Sequence, residues 1–224
     1  MNLRKMMQLK QTKNLTEKEA KDILTAYKIP VAKGEVCTSF EQLKKTALWM
    51  GFPLVLKAVS DEIVHKTDVG AVVLDIKDEK SLEEAYISIV ANMKKINIYP
   101  QGFYVQEMLK GDFELIIGAK RDRTFGLVLM IGLGGIYAEA LKDVSFRIAP
   151  VDKKMALEMI DDLKSAKVLK GFRGKRANLD LIADILVKLS KLMIENPEIA
   201  EVDINPLIID SNKAIAADAR MILV

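Results

Sequence analysis

A single cysteine, Cys37, stands in 224 residues, which excludes an intramolecular disulfide and points to a reducing, cytoplasmic setting. Histidine and tryptophan also occur once each, and aromatic residues make up only 6% of the chain. Any core must therefore be built from Ile, Leu, Val, Ala and Met. No apolar run approaches the roughly 20 residues that a membrane-spanning helix needs, and the N-terminus carries no hydrophobic leader core, so no membrane partner is expected. Charge of one sign is missing as well. The 34 basic residues are scattered among 31 acidic ones, with no long basic block beyond Arg4-Lys5 and residues 10–13, and no nucleic-acid partner is expected. Internal repeats and low-complexity linkers are absent too.

What is present is half apolar and 29% charged, enough for one large domain or two smaller ones sharing a cleft. Residues 1–15 read as a flexible basic arm. Thr16 with Glu19 forms a capping box that opens a helix reaching about Lys28, and Ile29-Pro30 stops it. A short strand over 31–36 follows, then a helix capped by Ser39 with Gln42, ended at Gly51-Phe52-Pro53. Residues 54–59 and 71–76 read as strands, and Ser81 with Glu84 opens a helix of about four turns. The pattern to this point is βαβ-like. Strands are expected at 102–109 and 114–120 as an antiparallel pair, with a third at 125–131 and a short piece at 145–150. A helix capped by Asp152 and a long one opened at Asn178 or Asp180 precede the last hairpin. The best boundary lies near residues 100–106. It divides the chain into lobes 16–104 and 105–224, an α/β architecture of two α+β lobes around a ligand cleft.

The stretch that organises the chain is Glu201-Val202-Asp203-Ile204-Asn205-Pro206-Leu207, with its echo Ala216-Ala217-Asp218. Apolar runs on both sides of Asp210-Ser211-Asn212-Lys213 make it a β-hairpin with a polar tip. Strand alternation puts Asp203 and Asn205 on one face, and a tight tip puts Asp218 opposite Asn205. Hard oxygen ligands on adjacent strands suit Mg²⁺, which takes one or two carboxylates and leaves other positions to water and phosphate. Lys57 sits inside an otherwise apolar strand; an ammonium there points toward an anion or, as the competing reading, reaches solvent from an edge. His65, in a polar loop with Lys66, Thr67 and Gly70, is a residue type that can accept a phosphoryl group. Gly132-Leu133-Gly134-Gly135 is either a tight turn or a cradle of amides for phosphate; it lacks the Lys-Ser/Thr of a P-loop. Arg147 is the candidate fixed charge on a transferring phosphoryl group. Gln106, Glu107, Met108 and Leu109 end a strand at the junction of the lobes, where backbone groups can meet an adenine edge, and Glu114 can accept a ribose hydroxyl. Two ordinary Glu residues on paired strands read equally well there. The loop 169–176, with glycines framing Arg173, reads as shaped to present a charge.

Taken together, Val55-Leu56-Lys57-Ala58-Val59-Ser60, His65-Lys66 with Gly70, the Gly132–Gly135 run, Asp143-Val144-Ser145-Phe146-Arg147, Gly171-Phe172-Arg173-Gly174 and Asp203-Ile204-Asn205-Pro206-Leu207 resemble the ATP-grasp family. Within it they are most similar to the nucleotide-binding β subunits of ADP-forming acyl-CoA synthetases, relatives of succinyl-CoA synthetase. The resemblance runs from about Thr16 to the end, with one departure, Ala71 where the family usually has a second glycine. It implies an ATP-grasp fold holding Mg²⁺ and ADP or ATP between two lobes. It assigns Lys57 to the nucleotide phosphates, Gln106, Glu107, Met108 and Leu109 to adenine, Glu114 to ribose, Asn205 and Asp218 with Asp203 to the metal, and His65 to phosphoryl transfer; the amides of Gly134 and Gly135 are the candidate phosphate cradle from residue chemistry. It also implies a CoA-binding α subunit, in an α2β2 assembly, because no Rossmann-type CoA fingerprint is present here. A self-sufficient ATP-grasp carboxylate ligase and a non-catalytic nucleotide-binding module are the alternatives.

Overall fold

The computed structural model describes residues 14–60, 69–135 and 142–224, and the chain divides into two compact units. One comprises the described residues up to Val31 together with Lys110–Val224; the other is Ala32–Leu109. The expected boundaries at 16 and 105 are therefore displaced. The first helix, α1 (Glu17–Ala26), packs with the C-terminal strands, because its buried stripe of Ala20, Ile23 and Leu24 belongs to the larger core. Its capping box is present: the Thr16 hydroxyl accepts from the Glu19 amide, and the Thr16 amide donates to the Glu19 carboxylate at 2.8 Å.

The smaller unit contains β1 (Gly34–Cys37), α2 (Phe40–Met50), β2 (Leu54–Val59), β3 (Val72–Ile76), α3 (Glu79–Lys95) and β4 (Gly102–Glu107). Its sheet has the order β1-β4-β2-β3 with every pair antiparallel, which corrects the βαβ-like expectation. Leu54, Leu56 and Ala58 face the helices and pack with Leu43, Ala47, Leu82, Ile89 and Met93. Ala71 is fully buried in this core, so the methyl that departs from the family pattern fills space there. Helix α3 begins before the expected Ser81. The Asp78 carboxylate accepts from the Ser81 amide at 2.7 Å while the Ser81 hydroxyl takes the Asp78 amide, so the reciprocal cap starts at Asp78.

The larger unit adds β5 (Phe113–Asp122), β6 (Gly126–Leu133), β7 (Val144–Ile148), α4 (Lys153–Asp161), α5 (Ala166–Lys170), α6 (Leu179–Glu195), β8 (Ile199–Ile209), β9 (Ala214–Ala216) and β10 (Ala219–Leu223). Its sheet runs β10-β8-β5-β6-β7, with β9 on β8. The expected pairing of β4 with β5 does not occur. After Leu109 the chain joins the second sheet, where the Asp112 amide donates to the Ile209 carbonyl at 2.8 Å and β5 lies between β6 and β8. One face, with Leu115, Ile117, Leu129, Ile131, Val202 and Ile204, is covered by α6 and α4 through Ile182, Leu186, Leu189 and Met159. Alternation sends Glu114, Gly118, Lys120, Met130, Glu201 and Asp203 to the opposite face. Among the described residues, no helix is long and apolar enough to cross a membrane.

Candidate functional site

The site begins at an irregularity in β8. Leu115 of β5 pairs with Leu207, but two residues on, Ile117 pairs with Ile204. Three steps on one strand against two on the other make a bulge at Asn205-Pro206. Proline is tolerated at such a position because the ladder there needs no amide donor. The bulge leaves Asn205 exposed while Ile204 and Leu207 on either side are buried. The return strand starts with Ala219 opposite Ile204 and Arg220 opposite Asp203, and the Asn205 amide donates to the Asp218 carbonyl at 3.3 Å. Asp218 is thus placed across from Asn205, as the hairpin pattern predicts. The hairpin tip is closed by the Asp210 carboxylate, which accepts from the Asn212 and Lys213 amides.

Asp203, on the same open face, has its carboxyl pushed above the ordinary range, first by burial and then by the negative charges of Glu201 and Asp218, with Arg220 pulling the other way. A corner that resists holding its negative charge is one where a cation is favoured. Among the described residues, no group of three His, Cys, Asp or Glu side chains could hold a metal alone. Two carboxylates and an amide oxygen are nonetheless enough for Mg²⁺, whose remaining positions go to water and phosphate. The residues present therefore fit that ion.

Farther along the same face, the glycine run meets Glu114. The Gly134 amide donates to the Glu114 carbonyl at 2.7 Å, and a Cβ on Gly134 would stand 3.0 Å from that oxygen and 3.1 Å from its carbon. Gly135, with φ of 79°, lies where a Cβ would be 3.5 Å from Glu114 Oε2. The structure thus gathers Glu114, Gly134 and Gly135 at one end of β5. Close backbone approach explains Gly134 on structural grounds, whatever phosphate does there.

Arg147 is engaged elsewhere. Its guanidinium pairs with Asp162 at 2.6 Å and donates to the Phe146 carbonyl. It shares with Asp203 the wall of an open hollow of ≈ 790 Å³ on the larger unit, floored by Val128, Met130 and Phe146. Phe172-Arg173-Gly174-Lys175 forms a tight turn with positive φ at both central residues and hydrogen bonds in both directions between Phe172 and Lys175, the backbone of a type I′ turn. It presents Arg173 over the Phe172 ring, as a shaped loop should.

In the smaller unit, Lys57 is 4% exposed, opposite Tyr104 in register and on the face away from the helices. Gln106 is buried on that same face, opposite Val55. The Glu107 carboxylate accepts from the Lys33 amide at 2.8 Å, and its own amide donates to the Lys33 carbonyl. The Met108 amide donates to Pro53. Both amides are thus used internally, and Leu109, half-buried, closes the unit. His65, and residues 1–13 of the expected arm, lie outside the described residues. One residue beside the last hairpin has no place in the sequence-based expectation. Lys21 of α1 reaches the Ala217 carbonyl, next to Asp218, at 2.8 Å. The signal was its place on the apolar stripe beside Ala20 and Leu24, which a solvent-facing lysine would not occupy.

A family model described as an ATP-grasp domain matches residues 7–223. The chain is 45% identical over 214 residues to the β subunit of ADP-forming acetate–CoA ligase I of Pyrococcus furiosus, covering 93% of this chain and 91% of that one. It is 42% identical to the ADP-forming acetate–CoA ligase I of Archaeoglobus fulgidus, but there the match spans only 30% of the longer relative. Among solved structures, an acetyl-CoA synthetase of Ca. Korarchaeum cryptofilum in complex with coenzyme A and Ca-AMPCP superposes with a TM-score of 0.94 at 39% identity, over 99% of this chain and 98% of that one. A related structure of that enzyme contains Mg-AMPPCP and a phosphohistidine segment pointing towards the nucleotide-binding site.

Proposed function

The chain belongs to the ATP-grasp domain family, and from that premise we propose that it is the nucleotide-binding β subunit of an ADP-forming acid–CoA ligase. The reaction is the reversible conversion of an acyl-CoA, ADP and phosphate into a carboxylic acid, CoA and ATP, with a phosphohistidine as carrier of the phosphoryl group. The observation that carries the reading is the bulged strand that sets Asn205 across from Asp218, with Asp203 beside them, in a chain co-extensive with a β subunit of that activity.

Phosphoryl transfer depends mainly on positioning and on neutralising charge. Lys57 contacts the nucleotide phosphates, and the backbone of residues 106–109 meets the adenine edge. Because the Glu107 and Met108 amides are already used, the base would be met by other backbone groups of this segment. Glu114 accepts from the ribose, with Gly134 and Gly135 leaving room beside it. Asn205, Asp218 and Asp203 would hold Mg²⁺, which would supply neutralisation of the phosphate charge. Arg147 supplies a positive charge once released from Asp162, and His65 takes part in moving the phosphoryl group.

The acyl-CoA half sits on a separate CoA-binding α subunit, in an α2β2 assembly in the cytoplasm. Support comes from the Pyrococcus relative, a separate subunit of this length, beside the Archaeoglobus relative, in which the matching segment is under a third of a longer chain. Cys37, the single cysteine, is a buried free thiol, which a reducing compartment allows. Co-expression with the α subunit tests the assignment. The pair is expected to form ATP from an acyl-CoA, ADP and phosphate, and His65→Ala is expected to abolish turnover while leaving ADP affinity within about threefold, because a group used only in the chemical step contributes little to ground-state binding. Normal turnover by that variant would remove His65 from the mechanism.

A further inference from the structure

The larger unit holds an ion pair buried where a helix surface pair would ordinarily stand in water. Lys21 Nζ lies 2.9 Å from Glu17 Oε1, one turn apart on α1, with the two side chains 1% and 4% exposed. Burying two charges costs hydration that their attraction only partly returns, so such a pair is weak evidence for stability. The ammonium has further protons to donate, and one goes to the Ala217 carbonyl at 2.8 Å. That carbonyl and the Asp218 amide share one planar peptide unit. The Ala217 amide, in the preceding unit, donates to the Pro206 carbonyl at 2.9 Å. Both peptide planes around Ala217 are therefore tied, one to the bulge of β8 and the other to Lys21. Asp218 leaves the chain from the second plane.

We propose that the Glu17–Lys21 pair is a positioning device for the Mg²⁺–nucleotide site. Lys21 fixes the peptide plane from which Asp218 departs, and Glu17 holds the ammonium in place and balances its charge. Neither residue touches the nucleotide. The inference rests on the reading of Asn205 and Asp218 as Mg²⁺ ligands, and it extends the site to an element nearly two hundred positions away in the chain.

The test uses the full chain in complex with its CoA-binding partner, titrated with ADP over a series of Mg²⁺ concentrations, with thermal unfolding measured in parallel. Lys21→Met strands a buried carboxylate and is expected to lower both the melting temperature and the response to Mg²⁺. The double variant Glu17→Gln/Lys21→Met removes both charges, so its melting temperature should return close to that of the wild type. Its Mg²⁺ requirement for ADP binding should nevertheless stay raised by about tenfold or more, as is usual when a group supporting a metal ligand is lost. ADP affinity without Mg²⁺ should not change. A double variant with both wild-type stability and a wild-type Mg²⁺ requirement overturns the proposal. Should that variant fail to fold, Glu17→Gln alone decides: a raised Mg²⁺ requirement supports the proposal and an unchanged one overturns it. An Asp218→Ala control with an unaltered Mg²⁺ requirement would instead overturn the metal reading beneath it.

Discussion

At the scale of single residues, burial and neighbouring charge act on the acidic corner of the larger sheet. Asp203 is pushed toward its neutral form by burial and by Glu201 and Asp218. A carboxyl whose folded pKa lies above its unfolded one favours the fold while protonated, and that contribution is lost as pH rises through the folded value. Asp203→Asn is therefore expected to raise the melting temperature of the Mg²⁺-free protein at neutral pH. The gain should shrink to nothing below the ordinary carboxylate range, where Asp203 is protonated in both states. A variant less stable at pH 7 would contradict this. Asp143 behaves oppositely. Burial raises its pKa, but hydrogen bonds from Ser165 and the Lys164 amide outweigh that and hold it low. Its stabilisation is present above the ordinary carboxylate range and disappears as pH falls through the lowered value. Asp143→Ala should cost about 2 kcal/mol at pH 7, the scale of a lost charged hydrogen bond, and lose that effect in acid; denaturant melts at the two pH values would show it.

At the scale of elements, the bulge in β8 and the turn after β6 do most of the placing. A β-bulge aims Asn205 outward without exposing Ile204 or Leu207, and close approach of β5 to the glycine run sets Glu114 beside Gly134 and Gly135. Gly134→Ala would push a methyl against the Glu114 backbone rather than a flexible side chain, so the two strand ends must part. The expected result is a loss of about 1–3 kcal/mol in stability together with weaker nucleotide binding. Unchanged melting and unchanged ADP affinity would show that the contact is soft. Most element positions were legible in the sequence, because caps such as Thr16-Glu19, Ser39-Gln42, Asp152 and Asn178 act locally. Strand partnership was not. Residues 102–109 and 114–120 are neighbours in the chain and each reads as a strand, yet the short link between them crosses from one sheet to the other. Nothing in side-chain alternation records which sheet edge a strand will join.

At the scale of the molecule, two antiparallel sheets have separate cores: Lys57 and residues 106–109 belong to one unit, and Glu114, the glycine run and the acidic hairpin belong to the other. The hairpin was legible because acids at period two inside apolar strands are costly to place there unless a cation or solvent meets them. Lys21 was legible only in part: its place on the apolar stripe marks it, but its i,i+4 spacing from Glu17 looks like surface chemistry until the packing of α1 against β10 is known. The most direct test of the central claim is calorimetric titration with ADP, with and without Mg²⁺, of the chain and its co-purified partner beside the same complex carrying Asp218→Ala. Binding that depends on Mg²⁺ and weakens at least about tenfold in the variant is the predicted result. Equal affinity with and without Mg²⁺, unchanged by Asp218→Ala, would contradict the account at its centre.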